Sequence, residues 1–203
     1  MLTGFLTALF ILIGYLAGSI PTGYLVARLR GVDIQSAGSG NIGATNVLRT
    51  MGIVPAIIVV LIDPLKGFLA VSLPLVLGMN PWIVALTGAA VMLGNTYNIF
   101  LRFKGGRGVA TSIGTYAAVD PITTLVVAIL GVITIALGRF VSLGSLIGVL
   151  SAPIIVLARG DFLLPYLCLA MFISFLITFR HRDNIERLAK GTERRLGEKK
   201  KEA

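Results

Sequence analysis

Residues 121–158 read PITTLVVAILGVITIALGRFVSLGSLIGVLSAPIIVLA, and the only charged side chain in that stretch is Arg139. It separates two apolar runs, 121–138 and 141–158. At 1.5 Å per residue, each run reaches across most of a hydrocarbon layer about 30 Å thick. Further apolar segments fall at 4–27, 53–78, 81–101, 108–118 and 162–179. The segment 108–118 is short, and Asp120-Pro121 breaks it from the next because proline cannot continue a helical ladder. It reads as a short span or as half of a re-entrant pair. The expected fold is an all-α polytopic membrane protein with seven transmembrane helices, one of them short; six is the alternative.

Composition agrees. Of 203 residues, 56% are hydrophobic and 13% charged, about half the charged share of a soluble domain, and the mean hydropathy is +0.91. A water-soluble fold is excluded. Nine of the 18 Lys and Arg lie between Arg180 and Lys201, and the others sit mainly at the ends of apolar runs. The net charge of +9 therefore points to an anionic membrane face or a phosphorylated ligand, and no nucleic-acid partner is expected. One cysteine, Cys168, allows neither an internal disulfide nor a Cys-ligated metal cluster.

Orientation follows from the loops. Met1–Ala27 carries no charged side chain, and Arg28 and Arg30 come after the apolar run, opposite to the order in a cleaved signal peptide. If seven segments alternate, Arg28, Arg30, Arg49, Arg102, Lys104, Arg107, Arg139 and the basic tail all face one side. That side is cytoplasmic by the positive-inside rule, which leaves the N-terminus outside and the C-terminus in the cytoplasm. Residues 1–203 read as a single domain. Its charged tail, 190–203, belongs to a stretch from Glu186 expected to form a fraying surface helix.

Three polar clusters fall on that cytoplasmic face. The first is Gly38-Ser39-Gly40-Asn41-Ile42-Gly43-Ala44-Thr45-Asn46, closed by Arg49. Its glycines let backbone N–H groups approach an anion, and Arg49 adds a planar fork suited to phosphate. The second is Lys104-Gly105-Gly106-Arg107-Gly108-Val109-Ala110-Thr111, where cations and amides meet at a helix N-terminus. It lacks the spacing of a Walker A loop. The third is Arg180-His181-Arg182-Asp183-Asn184-Ile185-Glu186, which holds the only histidine. Metal ligands of the usual kinds are missing around His181, so no metal is expected. Asp63 and Lys66 lie inside an apolar segment, three apart, and are expected to form an ion pair beside Gly67.

With these strings in family order, the sequence resembles the bacterial acyl-phosphate:glycerol-3-phosphate acyltransferases. Gly18-Ser19-Ile20-Pro21-Thr22-Gly23 and Asp63 to Gly67 belong to the same pattern, which covers almost the whole chain. The resemblance implies a seven-helix enzyme of the bacterial inner membrane whose active site faces the cytoplasm. Its reaction would pass a long-chain acyl group from acyl phosphate to glycerol 3-phosphate, giving lysophosphatidate and phosphate for phospholipid synthesis. By that analogy Ser39, Arg49, His181 and Asn184 are the catalytic residues. Gly38, Gly40, Asn41, Thr45, Asn46, Lys104, Gly105, Gly106, Arg107, Gly108 and Thr111 are the substrate-binding ones. Asp63, Lys66, Arg182 and Asp183 take supporting places. No cofactor is implied; membrane lipid and a soluble enzyme that makes acyl phosphate are the implied partners.

The sequence departs from the family at three points. Gly94-Asn95-Thr96-Tyr97-Asn98 stands where Gly-His-x-x-Pro is common, Arg107 where lysine is frequent, and Asp183 where glutamate is usual. Asn95 cannot carry out acid–base work near pH 7, so a histidine's role there is structural or dispensable in this chain. The His-x4-Asp motif of thioester-dependent acyltransferases is absent, since Glu186 stands at its acidic position. An acyl phosphate is already activated and demands no covalent enzyme intermediate. Two acceptors are open to the hydroxyl proton, His181 and the donor's phosphate. A small-anion transporter is the rival reading, but no internal symmetry supports it.

Overall fold

The computed structural model describes residues 1–198 and, among these, contains helices and no strand. The helices are α1 (Leu2–Gly18), α2 (Thr22–Arg28), α3 (Ala44–Met51), α4 (Ile53–Val76) and α5 (Pro81–Thr96). After a 3₁₀ turn at Ile99–Leu101 come α6 (Val109–Ala117), α7 (Pro121–Gly138), α8 (Val141–Arg159), α9 (Leu164–Arg180) and α10 (Arg182–Ala189). Five runs are long and apolar enough to cross a membrane: Leu2–Arg28, Ile53–Val76, Pro81–Leu101, Pro121–Gly138 and Val141–Arg159. The pair α9 and α10, bent by 61° at His181, makes a sixth candidate. Many large apolar side chains point outward, Leu137, Val76 and Phe175 among them. Lipid, not water, is the solvent for those faces.

Proline and asparagine or aspartate set several helix starts. Asn80 Oδ1 accepts from Trp82 N at 2.9 Å and Asp120 Oδ1 from Thr123 N at 3.0 Å, with Pro81 and Pro121 at the first helical positions. The first apolar segment is not one straight helix: it breaks at Ser19–Pro21. Pro21 has no N–H to continue the ladder, and Ile20 O instead accepts from Lys66 Nζ at 2.9 Å.

α5 lies at the centre, between α1, α4 and α9, while α7 packs on α8 at the edge. α6 has nine residues and spans about 14 Å, too little to cross a bilayer alone. It nevertheless leads to the far end of the bundle, because Arg159 Nη1 at the end of α8 holds Asp120 Oδ1 at 2.7 Å. α6 reaches α4 through Gly114, where an added Cβ would stand 1.8 Å from Pro64 O. Gly114→Ala therefore forces the two helices apart, and we expect it to cost about 3 kcal/mol. Thermal unfolding in detergent measures this; an unchanged midpoint would contradict the packing.

The tail differs from its expected helix. α10 starts at Arg182 and ends at Ala189, and Gly191, at φ 67°, turns the chain back toward the bundle. Part of the expected tail, 199–203, lies outside the described residues.

Candidate active site

The three clusters converge on one cavity of about 500 Å³ at the end of the bundle where α5 stops and α6 and α8 begin. Ser39, Asn41, Thr45, Asn46, Arg49, Asp63, Lys66, Gly106, Arg107, Gly108, Thr111, His181, Asp183 and Asn184 line it. Gly38, Gly40, Lys104, Gly105 and Arg182 are not on its wall. Lys104 is exposed and its carbonyl accepts from Gln35 Nε2 at 3.3 Å. Arg182 stacks on Phe179, 5.1 Å from the ring centre, on the outside.

The first cluster is a loop folded around Asn46. The Asn46 amide donates to Ala37 O at 3.0 Å and Asn41 O at 2.9 Å, and its Oδ1 accepts from Ser39 N at 2.9 Å. Asn46 is thus bonded within the loop rather than toward the cavity. Gly38, at φ 64°, leaves room for this: a Cβ there would stand only 2.2 Å from Asn46 Oδ1. The Ser39 hydroxyl, by contrast, has no bond among the described residues and is exposed on the cavity wall.

The second cluster brings free donors. Gly105 N and Gly106 N bond back to Thr96 O and Asn95 O, and the first bond inside α6 is Ser112 N to Gly108 O. The N–H groups of Val109, Ala110 and Thr111 therefore have no helical partner, the ordinary state of a helix N-terminus.

His181 is 2% exposed, with Nδ1 2.8 Å from Ile177 O. A carbonyl only accepts, so Nδ1 carries the hydrogen and Nε2 keeps its lone pair. Burial lowers the imidazole pKa to about 4; the Ile177 hydrogen bond opposes this, and the nearby Arg107 cation assists it. His181 is neutral at pH 7. Asn184, 3% exposed, donates to Glu193 Oε1 at 2.6 Å, and its own Oδ1 has no partner among the described residues.

Asp63 and Lys66 form the expected pair, Oδ1 to Nζ at 2.8 Å. Thr22 Oγ1 donates to the same carboxylate oxygen at 2.9 Å.

The sequence reading did not single out Ser142, Arg187, Glu193 or Arg194, and it gave Asn95 no binding role; all five line the cavity. Apart from the Asp63–Lys66 pair, the wall carries four arginines (49, 107, 187 and 194) against the carboxylates of Asp183 and Glu193. Burial lowers the pKa of Arg49 and Arg107, with Arg194 and Arg187 respectively adding repulsion, yet guanidinium stays charged. A cavity of this sign selects anions. Among the described residues no three His, Cys, Asp or Glu gather to hold a metal.

An apolar groove of about 150 Å³ runs between α6, α7, α8 and α9, past Gly131, Gly144 and Gly148. It shares Val109, Ile113 and Ser145 with the polar cavity, so the two adjoin.

Comparison with known proteins agrees with this architecture. A family model described as glycerol-3-phosphate acyltransferase matches residues 8–191. A glycerol-3-phosphate acyltransferase of Thermus thermophilus is 45% identical over 189 residues, 93% of this chain and 94% of that protein. Glycerol-3-phosphate acyltransferase 1 of Deinococcus radiodurans is 46% identical over 197 residues, covering 96% and 98%. Among solved structures, the glycerol 3-phosphate form of PlsY (YgiH), an integral membrane glycerol 3-phosphate acyltransferase, superposes with a TM-score of 0.90 at 38% identity, covering 94% of this chain and 96% of that one. Its lysophosphatidic acid form gives 0.87 at the same identity, covering 94% and 95%.

Proposed function

Because the chain belongs to the glycerol-3-phosphate acyltransferase family, we propose that it takes its acyl group from acyl phosphate and passes it to the sn-1 hydroxyl of glycerol 3-phosphate. The observation that carries this reading is an arginine-rich cavity adjoining an apolar groove. The cations of the first suit phosphates, and the apolar wall of the second suits part of a fatty chain.

Arg49, Arg107 and the α6 N-terminus hold the phosphates and stabilise the charge that develops on the carbonyl oxygen. Ser39, Asn41 and Asn184 orient the reacting groups, with Asn184 Oδ1 and His181 Nε2 as acceptors for glycerol hydroxyls. The hydroxyl oxygen attacks the acyl carbonyl and an ester C–O bond forms. The bond from the acyl carbon to the phosphate oxygen breaks, and phosphate leaves with the electron pair. A histidine whose pKa is about 4 is a weak base at pH 7. The departing phosphate therefore takes the hydroxyl proton, and His181 positions the hydroxyl. No covalent enzyme intermediate is needed, because the acyl phosphate is already activated; Cys168 is exposed on α9, away from the cavity wall.

The chain sits in the bacterial inner membrane as one domain. α6 with its preceding loop makes a seventh crossing, the N-terminus lies outside, and the cavity faces the cytoplasm, where a soluble enzyme supplies acyl phosphate. The test is product formation by the purified protein from labelled glycerol 3-phosphate with palmitoyl phosphate or palmitoyl-CoA. Lysophosphatidate from the phosphate donor, with at least tenfold less from the thioester, is the expected result. Equal rates from both donors would sink the assignment.

A further inference from the structure

Asn95, at the end of α5, is 5% exposed and lines the cavity. Its Oδ1 accepts from Lys66 Nζ at 3.1 Å and from Thr111 Oγ1 at 3.1 Å. An ammonium has only hydrogens to offer, so the amide atom facing Lys66 must be the oxygen. That fixes the side-chain flip chemically, and both lone pairs of Oδ1 are engaged. The NH₂ is thereby turned the other way, toward the glycine loop. A Cβ on Gly106 would stand 3.3 Å from Asn95 Nδ2, and one on Gly108 3.6 Å from it. Nδ2 donates to nothing among the described residues; the amide's bonds there are the two that Oδ1 accepts. The residue lines the cavity, so this donor is free to meet a ligand there.

Lys66 completes the picture. Its three hydrogens have three acceptors: Asp63 Oδ1 at 2.8 Å, Ile20 O at 2.9 Å and Asn95 Oδ1 at 3.1 Å. No hydrogen remains for a ligand, so Lys66 acts on the cavity only through Asn95. A cation on its oxygen polarises the amide and strengthens its N–H groups as donors. Beside them lie the unbonded N–H groups of Val109, Ala110 and Thr111 at the start of α6. Two independent features thus place unbonded donors around the glycine loop.

We propose that Asn95 is a further substrate-binding residue, an amide donor to the phosphate of glycerol 3-phosphate, with Lys66 and Thr111 as the positioning residues that aim it. This rests on the reading of the glycine loop as the glycerol 3-phosphate site. It also accounts for asparagine where the resembling family often carries histidine. A neutral imidazole accepts one bond at one ring nitrogen and donates at the other, so it keeps the donor while giving up one of the two accepted bonds.

The experiment is steady-state kinetics of Asn95→Ala, Asn95→Asp and Asn95→His, varying glycerol 3-phosphate and palmitoyl phosphate separately. Asn95→Asp keeps both accepted bonds but exchanges the donor for a carboxylate that also repels phosphate. An unmoved KM in that variant overturns the proposal even if Asn95→Ala fails to fold, and recovery in Asn95→His separates a lost donor from an added charge. A hydrogen bond to a charged group corresponds to about 10- to 100-fold in affinity. The KM for glycerol 3-phosphate is expected to rise by that factor in Ala and Asp. The KM for palmitoyl phosphate should stay within about twofold, and Asn95→His should recover most of the loss. An unmoved glycerol 3-phosphate KM, a lowered melting temperature alone, or a shift in the donor KM instead would each overturn the proposal. Wild-type protein that makes no lysophosphatidate would overturn the underlying reading, whereas active wild type with unmoved variants would overturn only the role of Asn95.

Discussion

Arg107→Ala is expected to lower kcat/KM for glycerol 3-phosphate by about 10²–10³-fold, and Arg107→Lys by no more than about tenfold. Arg107 is partly buried on the cavity wall, and no carboxylate bonds its guanidinium among the described residues. Its surroundings are mixed: Arg187 and Arg180 repel it, and Glu193 and Asp183 attract it. A desolvated cation held this way gains most when a phosphate dianion arrives. Charge-assisted bonds contribute about 1.5–3 kcal/mol each, and losing a bidentate pair accounts for the upper end of the range. Lysine keeps the charge but presents a compact ammonium in place of a fork, so it should bind less specifically and still function. Steady-state kinetics at saturating palmitoyl phosphate measures both variants. Alanine retaining more than a tenth of wild-type kcat/KM would remove Arg107 from the anion site.

What could be read in advance depended on whether the cause was local. α4, α7 and α8 lie within about two residues of their apolar runs, because hydropathy and a proline or glycine at each end decide them. The Asp63–Lys66 pair was legible for the same reason, since its partners are three apart on one helix. So were the three clusters: polar strings in so apolar a chain are costly unless they line a cavity. The break at Ser19–Pro21 was signalled only by Pro21, and its compensation by Lys66 comes from 46 residues away. Asn95 looked inert because its value lies in orientation, which Lys66 and Thr111 set from two other helices. Glu193 lay hidden in a tail whose charges suggested a solvated helix. The local sign was Gly191, which ends α10 and reverses the chain. Nothing in the spacing says that the carboxylate two residues later returns to Ser142, 51 residues earlier.

That carboxylate is the second large lever. Glu193 Oε1 accepts from Ser142 Oγ at 2.8 Å and Asn184 Nδ2 at 2.6 Å, and Oε2 from Arg187 Nε at 2.7 Å. Its side chain is 7% exposed, so one group ties the tail, α10 and the start of α8 around the cavity. Glu193→Ala leaves Asn184 without its Nδ2 acceptor and Arg187 without its ion pair. The expected destabilisation is about 2–4 kcal/mol, toward the lower end because Arg187 is itself half exposed. Activity should fall further than stability, since Asn184 loses the bond that orients it. Glu193→Gln keeps an oxygen for Ser142 and Asn184 and should cost about half as much. The charge also has a pH signature. Burial opposes ionisation of Glu193, but the bonds from Ser142, Asn184 and Arg187 together outweigh it and hold the carboxyl below its ordinary 4.5. A carboxylate whose folded pKa is depressed stabilises the fold above its unfolded value and loses that contribution as pH falls through the folded one. Melting temperatures of wild type and Glu193→Gln should therefore differ most near pH 6–7 and converge as pH falls below 4.5. A constant difference across that range would mean that the geometry of Glu193 matters and its charge does not.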